Sequence, residues 1–280
     1  MSITVNTNMQ ALRIQQNLTN ATDKMNTAME RMASGSKINK AADDAAGYAV
    51  SNTLSKTISG SKVASDNVAI GSDLLSTAEG TLDVIEINLE RIRDLTEQAA
   101  NGTYSADDLT AIAAEVSARL TEVTALADTT TFNGKKLLDG TCSAGITLQV
   151  GTEASDTLKL DGSIFAEVTA AGTLTGLSAA ITSGVAANIS NYLTTLDSVI
   201  DINTGRITDI GAASNQLEAV SDGLEVQQTN LSSALSTISD ADVAQESASY
   251  VQAQILQSAS ATLLVQANSA PQIALTLIQG

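Results

Sequence analysis

Two acidic pairs, Asp43-Asp44 and Asp107-Asp108, are the residues of this chain best suited by type to hold a hard cation. Such a site needs further oxygen ligands at fixed spacing, and neither pair has a third one placed. Each pair instead stands where a helix opens, and carboxylates there accept from free N–H groups and oppose the helix dipole. No metal and no cofactor is therefore expected. His is absent, which removes imidazole bases and the Ser–His and Cys–His nucleophile pairs. Cys142 is the single cysteine; it has no internal disulfide partner and reads as a small residue at a hairpin edge. Carboxylates are plentiful, yet none stands beside a nucleophile, a Gly-rich phosphate loop or a metal set. No catalytic residue is expected, and the chain is not read as an enzyme. The sequons at Asn17 and Asn101 are ordinary chance matches at this Ser/Thr content.

With chemistry set aside, composition points to a helical chain. The 280 residues are 43% hydrophobic but only 2% aromatic, with no Trp and one Pro, Pro271. Apolar mass made of Ala, Leu, Ile and Val suits interlocking helices. The net charge of -17 repels phosphate backbones, so no nucleic acid is expected. "MSITVNTNMQ" lacks a basic start and an apolar h-region, so no cleaved signal peptide is expected. The stretch from Ser247 to Gly280 carries no charge, but Gln252, Gln254, Gln257 and Gln266 argue against membrane insertion.

The elements that organise the chain are seamed helices. Ala11, Ile14, Leu18, Ala21, Met25, Ala28 and Met32 follow the alternating three- and four-residue steps of a coiled coil. "SGSKIN" breaks that helix. A long one from about Asp44 to Ala100 continues the spacing through Val68, Gly71, Leu75, Ala78, Leu82, Ile85, Leu89 and Ile92. It would run roughly 85 Å. Gly60, Gly71 and Gly80 each weaken it by about 1 kcal/mol against Ala, so neighbours must hold it. Ser105 with Asp108 makes a capping box for a shorter helix to about Asp128. "TTTFNGKKLLDG" reads as a loop. Ile146, Leu148 and Val150, then Leu158 and Leu160, alternate as a small hairpin. Residues 163–187 read as a surface connection or short variable insert. The seam resumes at Ile210, Ala213, Leu217, Val220, Leu224, Gln227, Leu231, Ala234 and Ile238, and "SDADVAQE" offers a cap at Ser239 with Asp242. The fold expected is mainly α: a long antiparallel coiled-coil-like bundle formed by both chain ends, with a small β-hairpin near mid-chain. The two uncharged ends are thin single helices whose stripes one copy cannot cover.

"NTNMQAL", "RMASGSKINKAADDAAGYAVSN", "RIRDLTEQAANGTYS", "FNGKKLLDG", "STISDADVAQESA", "QAQIL" and "VQANSAPQIAL" occur in the order found in bacterial flagellins. The chain resembles that family from end to end, as a short form without large outer domains. The resemblance implies a structural subunit that self-assembles into the flagellar filament for swimming; the alternatives are a coiled-coil signalling protein or a hook–filament junction protein. It implies an inner filament-core domain from 1–42 and 240–280. A second shell would come from 43–162 and 188–239, with 163–187 as a short variable connection. Polymer contacts are expected at Ile14, Leu18, Met25, Met32, Val251, Ile255, Leu263 and Leu264. The implied partners are further copies of the chain, an export chaperone, the filament cap, hook-junction proteins and host Toll-like receptor 5. By the same resemblance that receptor would contact Arg91, Leu95 and Glu115. The implied location is the extracellular filament, reached through the flagellar channel without a cleaved signal peptide.

Overall fold

A computed structural model describes residues 7–168 and 170–279, with side chains over 7–168 and 172–269. The side chains at the end of the uncharged tail, 270–280, lie outside it. The chain divides into two compact units, residues 1–58 with 230–280, and residues 59–229. The sequence places its boundaries at the helix breaks near 42 and 240 instead.

In the unit holding both chain ends, α1 (Met9–Ser34) and α7 (Val243–Gln279) lie antiparallel. Asn8 Nδ2 donates to the Ala267 carbonyl at 2.8 Å, Gln257 Nε2 meets Thr22 Oγ1 at 3.1 Å, and Arg31 pairs with Glu246 at 3.3 Å. Asn8 caps α1 by accepting from the Ala11 N–H, and Gly35 ends it in the left-handed region at φ 69°. All seven expected seam residues of α1 are buried or half-buried. Its best-covered positions are Ala21 and Ala28, facing a helix whose buried residues are Ala253, Ser260 and Ala267. Small side chains on both helices let the backbones come close, so one copy does cover a narrow terminal stripe, contrary to the expectation from sequence.

A short bridge ties the two chain halves: Lys37 N–H donates to the Ser239 carbonyl at 2.8 Å and Ala241 N–H to that of Gly35 at 2.9 Å. The Ser36 hydroxyl meets both the hydroxyl and the carbonyl of Ser239. Ser239 is consequently the last residue of α6 (Ala186–Ser239), and the cap of α7 is Asp242, which accepts from Ala244 and Gln245 N–H. The expected cap at Ser239 is corrected accordingly.

In the second unit, the part of α2 (Ala45–Ala100) beyond residue 58 contributes the central seam. Leu75, Ala78, Leu82, Ile85, Leu89 and Ile92 are all fully buried, as their spacing predicts. Running antiparallel beside it is α3 (Ala106–Thr129), opened by the Ser105–Asp108 capping box. The part of α6 in this unit is also antiparallel to α2, and its buried residues are Ile189, Leu196, Asn203, Ile210, Leu217 and Leu224. Beyond Leu224 the seam takes one extra four-residue step to Gln228, then Leu231, Leu235 and Ile238. Gln227 and Ala234, placed on the seam by a strict repeat, are exposed.

The stretch read as a loop after α3 contains a two-residue ladder, β1 (Thr131–Phe132) with β2 (Lys135–Lys136). Asn133 and Gly134 turn it in the left-handed region, at φ 49° and 78°. The expected hairpin is β3 (Ile146–Gln149) with β4 (Thr157–Leu160), antiparallel with Ile146 opposite Leu160. It lies on α2 where glycines make room. A Cβ at Gly60 would stand 2.7 Å from the Thr152 side chain, and one at Gly71 would overlap Leu148. Nothing approaches Gly80.

Residues 163–187 are not a surface connection. They form α4 (Ala170–Thr173) and α5 (Leu177–Ser183), packed on α3. Ile164, Phe165, Leu174, Leu177 and Ile181 are fully buried. Their apolar residues are too widely scattered among Ala, Thr, Gly and Ser to show a period.

Charge divides unevenly between the units. Residues 1–58 and 230–280 carry six basic and seven acidic side chains, a net of -1. Residues 59–229 carry eight and 24, a net of -16. No helix of the described residues is long and apolar enough to cross a membrane.

Candidate assembly surface

The candidate surface begins with what the α1–α7 seam leaves out. Facing α1, α7 presents Glu246, Ala253, Gln257, Ser260, Leu264 and Ala267. The intervening turns therefore point Val251, Ile255, Leu256, Leu263 and Val265 outward, and all five are exposed. Ile255 keeps 63% of its surface open. Ser247, Ala248, Val251, Gln252, Ile255 and Leu256 line a shallow apolar groove of about 560 Å³. On α1, Met9, Leu12 and Met29 are likewise exposed. The most buried positions are thus Ala and Ser while many large apolar side chains stand outside, unlike an isolated globular core.

The residues expected at polymer contacts fall into two groups. Val251, Ile255 and Leu263 are exposed, whereas Ile14, Leu18, Met25, Met32 and Leu264 are half-buried in the α1–α7 seam. Sequence reasoning passed over Leu12, Met29, Leu256 and Val265. The small-residue row Ala253, Ser260 and Ala267 is the signal that separates inward from outward positions on α7.

The second group of expected contacts lies on α2 and α3. Arg91 Nε stands 3.4 Å from Glu115 Oε1, and Arg119 reaches the same oxygen at 3.2 Å. Arg119 Nη1 also donates to Asn88 Oδ1 at 3.1 Å. Leu95 does not share that surface: it is 2% exposed and belongs to the core with Ile92 and Ala99. Four residues of helix turn it about 40° from Arg91, enough to move from rim to seam.

Of the acidic pairs, Asp44 and Asp108 cap helices and Asp43 closes the turn before α2. Asp43 accepts from the Lys40 and Asn39 N–H groups at 3.0 Å, which holds its carboxyl below the usual range. Asp44 accepts from Ala46 and Gly47 N–H. Asp108 is lowered by the Ser105 hydroxyl at 2.6 Å and then by the Ser105 N–H. Among the described residues no group of three or more His, Cys, Asp or Glu is arranged to hold a metal.

Residues 5–143 match the bacterial flagellin N-terminal helical region, and residues 193–278 match the C-terminal helical region. The chain belongs to the bacterial flagellins. It is 35% identical to the flagellin of Halalkalibacterium halodurans over 283 aligned residues, covering 98% of this chain and 99% of that one. It is 47% identical to the B-type flagellin of Pseudomonas aeruginosa over 161 residues, which is 57% of this chain but 33% of that protein. The crystal structure of Bacillus cereus flagellin superposes with a TM-score of 0.50 at 28% identity, over 61% of this chain and 94% of that one. The protein is thus a short flagellin. Flagellins are structural subunits that self-assemble into the flagellar filament, not enzymes, and the signalling and junction alternatives are not favoured.

Proposed function

We propose that this flagellin polymerises through the outward apolar faces of α1 and α7, with Val251, Ile255, Leu256, Leu263 and Val265 as the principal contacts. The supporting observation is the row of large exposed apolar residues on α7, which is free of charge beyond Glu246, beside those of the charge-poor α1. A charge there would be desolvated again at each repeat of the polymer, which uncharged Ala, Ser and Gln avoid. In this reading residues 1–42 and 240–280 form the inner shell around the channel. Residues 43–162 and 188–239 form the next shell, and 163–187 stand where longer flagellins carry outer domains. Ile14, Leu18, Met25, Met32 and Leu264 support the contact from the seam beneath it. The subunit would leave the cell through the flagellar channel without a cleaved signal peptide. Its further partners would be an export chaperone, the filament cap and the hook-junction proteins. Recognition by Toll-like receptor 5 would use Arg91 and Glu115, with Leu95 acting from the core beneath them.

The test compares the purified chain with one ending at Glu246 by electron microscopy under polymerising conditions and by circular dichroism. Filaments are expected from the full chain alone, with the helices of residues 59–229 retained in both. Normal filaments from the shortened chain would overturn the reading.

A further inference from the structure

The buried residues of α6 recur every seven positions: Ile189, Leu196, Asn203, Ile210, Leu217 and Leu224. Five are aliphatic and one is an amide. The facing helix repeats in the same way, through Val68, Leu75, Leu82 and Leu89, and through Gly71, Ala78, Ile85 and Ile92. Two arrays of matching period pack almost equally well when one slides past the other by a heptad. Aliphatic packing alone does not choose between those registers.

Polar contacts do. Asn203 Nδ2 donates to the Leu82 carbonyl at 3.1 Å and to Glu86 Oε2 at 3.2 Å. The neighbouring Thr204 hydroxyl lies 3.2 Å from Glu86 Oε1, sharing its one proton with the Ile200 carbonyl at 3.0 Å. On the rim, Arg93 Nε lies 2.6 Å from Asp197 Oδ1. Sliding α6 one heptad in one direction replaces Glu86 by Arg93 opposite Asn203 and Thr204, so the Asn203 N–H loses its carboxylate acceptor and Arg93 parts from Asp197. Sliding it the other way keeps an acceptor, Glu79, but brings Asp197 against Glu86, two like charges. The amide is also incompletely paired, since Oδ1 is buried without a partner among the described residues. An amide left short of one partner adds less stability than a packed aliphatic side chain would, so its contribution is to register rather than to strength.

We infer that Asn203 is the register-setting residue of the α2–α6 pair against the slip toward Arg93, while the contact of Asp197 with Glu86 excludes the opposite one; both slips also break Arg93–Asp197. The test uses the full chain with Cys142→Ser and reporter cysteines away from these contacts. Glu79 and Gly211 lie one heptad from Glu86 and Thr204, so Glu79→Cys with Gly211→Cys reports the native register. Glu79→Cys with Glu218→Cys reports the slip toward Arg93. Each protein is refolded from denaturant under oxidising conditions and its intramolecular disulfide yield is measured. With Asn203 present, the slipped pair should form at under about a tenth of the native yield, one tenfold step in the equilibrium. Asn203→Leu should raise the slipped yield several-fold while melting at or above its parent. Glu86→Ala, which removes the acceptor from the rim without touching the core, should raise it as well. An unchanged slipped yield in both variants would overturn the inference. So would a lower melting temperature for Asn203→Leu with the native register kept, which would make the amide an ordinary stabilising contact.

Discussion

Replacing Ile255 by Ala separates assembly from folding. In the single chain the side chain stands 63% in solvent on a helix that Ala suits better, so monomer stability should change by no more than about 0.5 kcal/mol. Full burial of such a side chain is worth about 1.5–3 kcal/mol, and the exposed fraction leaves about 1–2 kcal/mol to be gained at a contact between copies. Loss of that amount raises the critical concentration for polymerisation by about 5–30-fold, since 1.4 kcal/mol is a factor of ten. Sedimentation of seeded polymerisation over a concentration series gives the critical concentration, and a thermal melt of the monomer gives the control. An unchanged critical concentration with a normal melt would refute the assignment of this face. A lowered melt would show that Ile255 contributes to the fold of the single chain instead.

Gly80→Ala should raise stability by about 1 kcal/mol, shifting the melt of the 59–229 unit up by about 2–4 °C, because nothing lies near the new methyl group. Gly71→Ala should gain less, because its methyl meets the Leu148 side chain, which must move aside; a gain larger than that of Gly80→Ala would contradict the close approach of the hairpin there. Leu95→Ala should destabilise by about 2–5 kcal/mol in denaturant titration. Arg91→Ala, whose exposed ion pair is worth at most about 1 kcal/mol, should leave the melt almost unmoved while weakening titration of the receptor ectodomain. Asp43, Asp108, Asp139 and Asp161 are all held below their ordinary pKa by hydrogen bonds from N–H and hydroxyl donors. Their stabilisation is therefore complete above about pH 4 and is lost as pH falls through the lowered values. The melting temperature should drop below pH 4, and a flat profile down to pH 2 would contradict this.

Local rules account for what could be read from the sequence. The α1 and α2 seams, the Ser105–Asp108 box and the β3–β4 hairpin each rest on residues a few positions apart, where spacing alone decides the face. What escaped was set by distant partners. One added residue in the step from Leu224 to Gln228 rotates the end of α6, and no property of Gln227 or Ala234 announces it. Phe165 and Ile181 are buried because α3 lies under them, not because of their neighbours in sequence. Leu95, placed with Arg91 on one face, is drawn into the core by where the α2 seam points. At the candidate surface, the type of residue was legible but its direction on α7 was not: Leu264 and Ile255 look alike in sequence, and only the Ala and Ser row of α7 tells which one faces inward.

The division of charge makes this chain a colloid with one sticky region and one repelling region. Nearly all of the like-charge repulsion between copies originates in residues 59–229, while the unit bearing the apolar faces is close to neutral. Contacts built on ion pairs weaken when salt is added. Here added salt shortens the reach of the repulsion, to about 8 Å at physiological ionic strength and about 3 Å at 1 M, and leaves the uncharged contacts intact. Ionic strength should therefore act as a throttle that opens with concentration: copies stay dispersed in dilute buffer and condense onto one another as counterions crowd around the acidic unit.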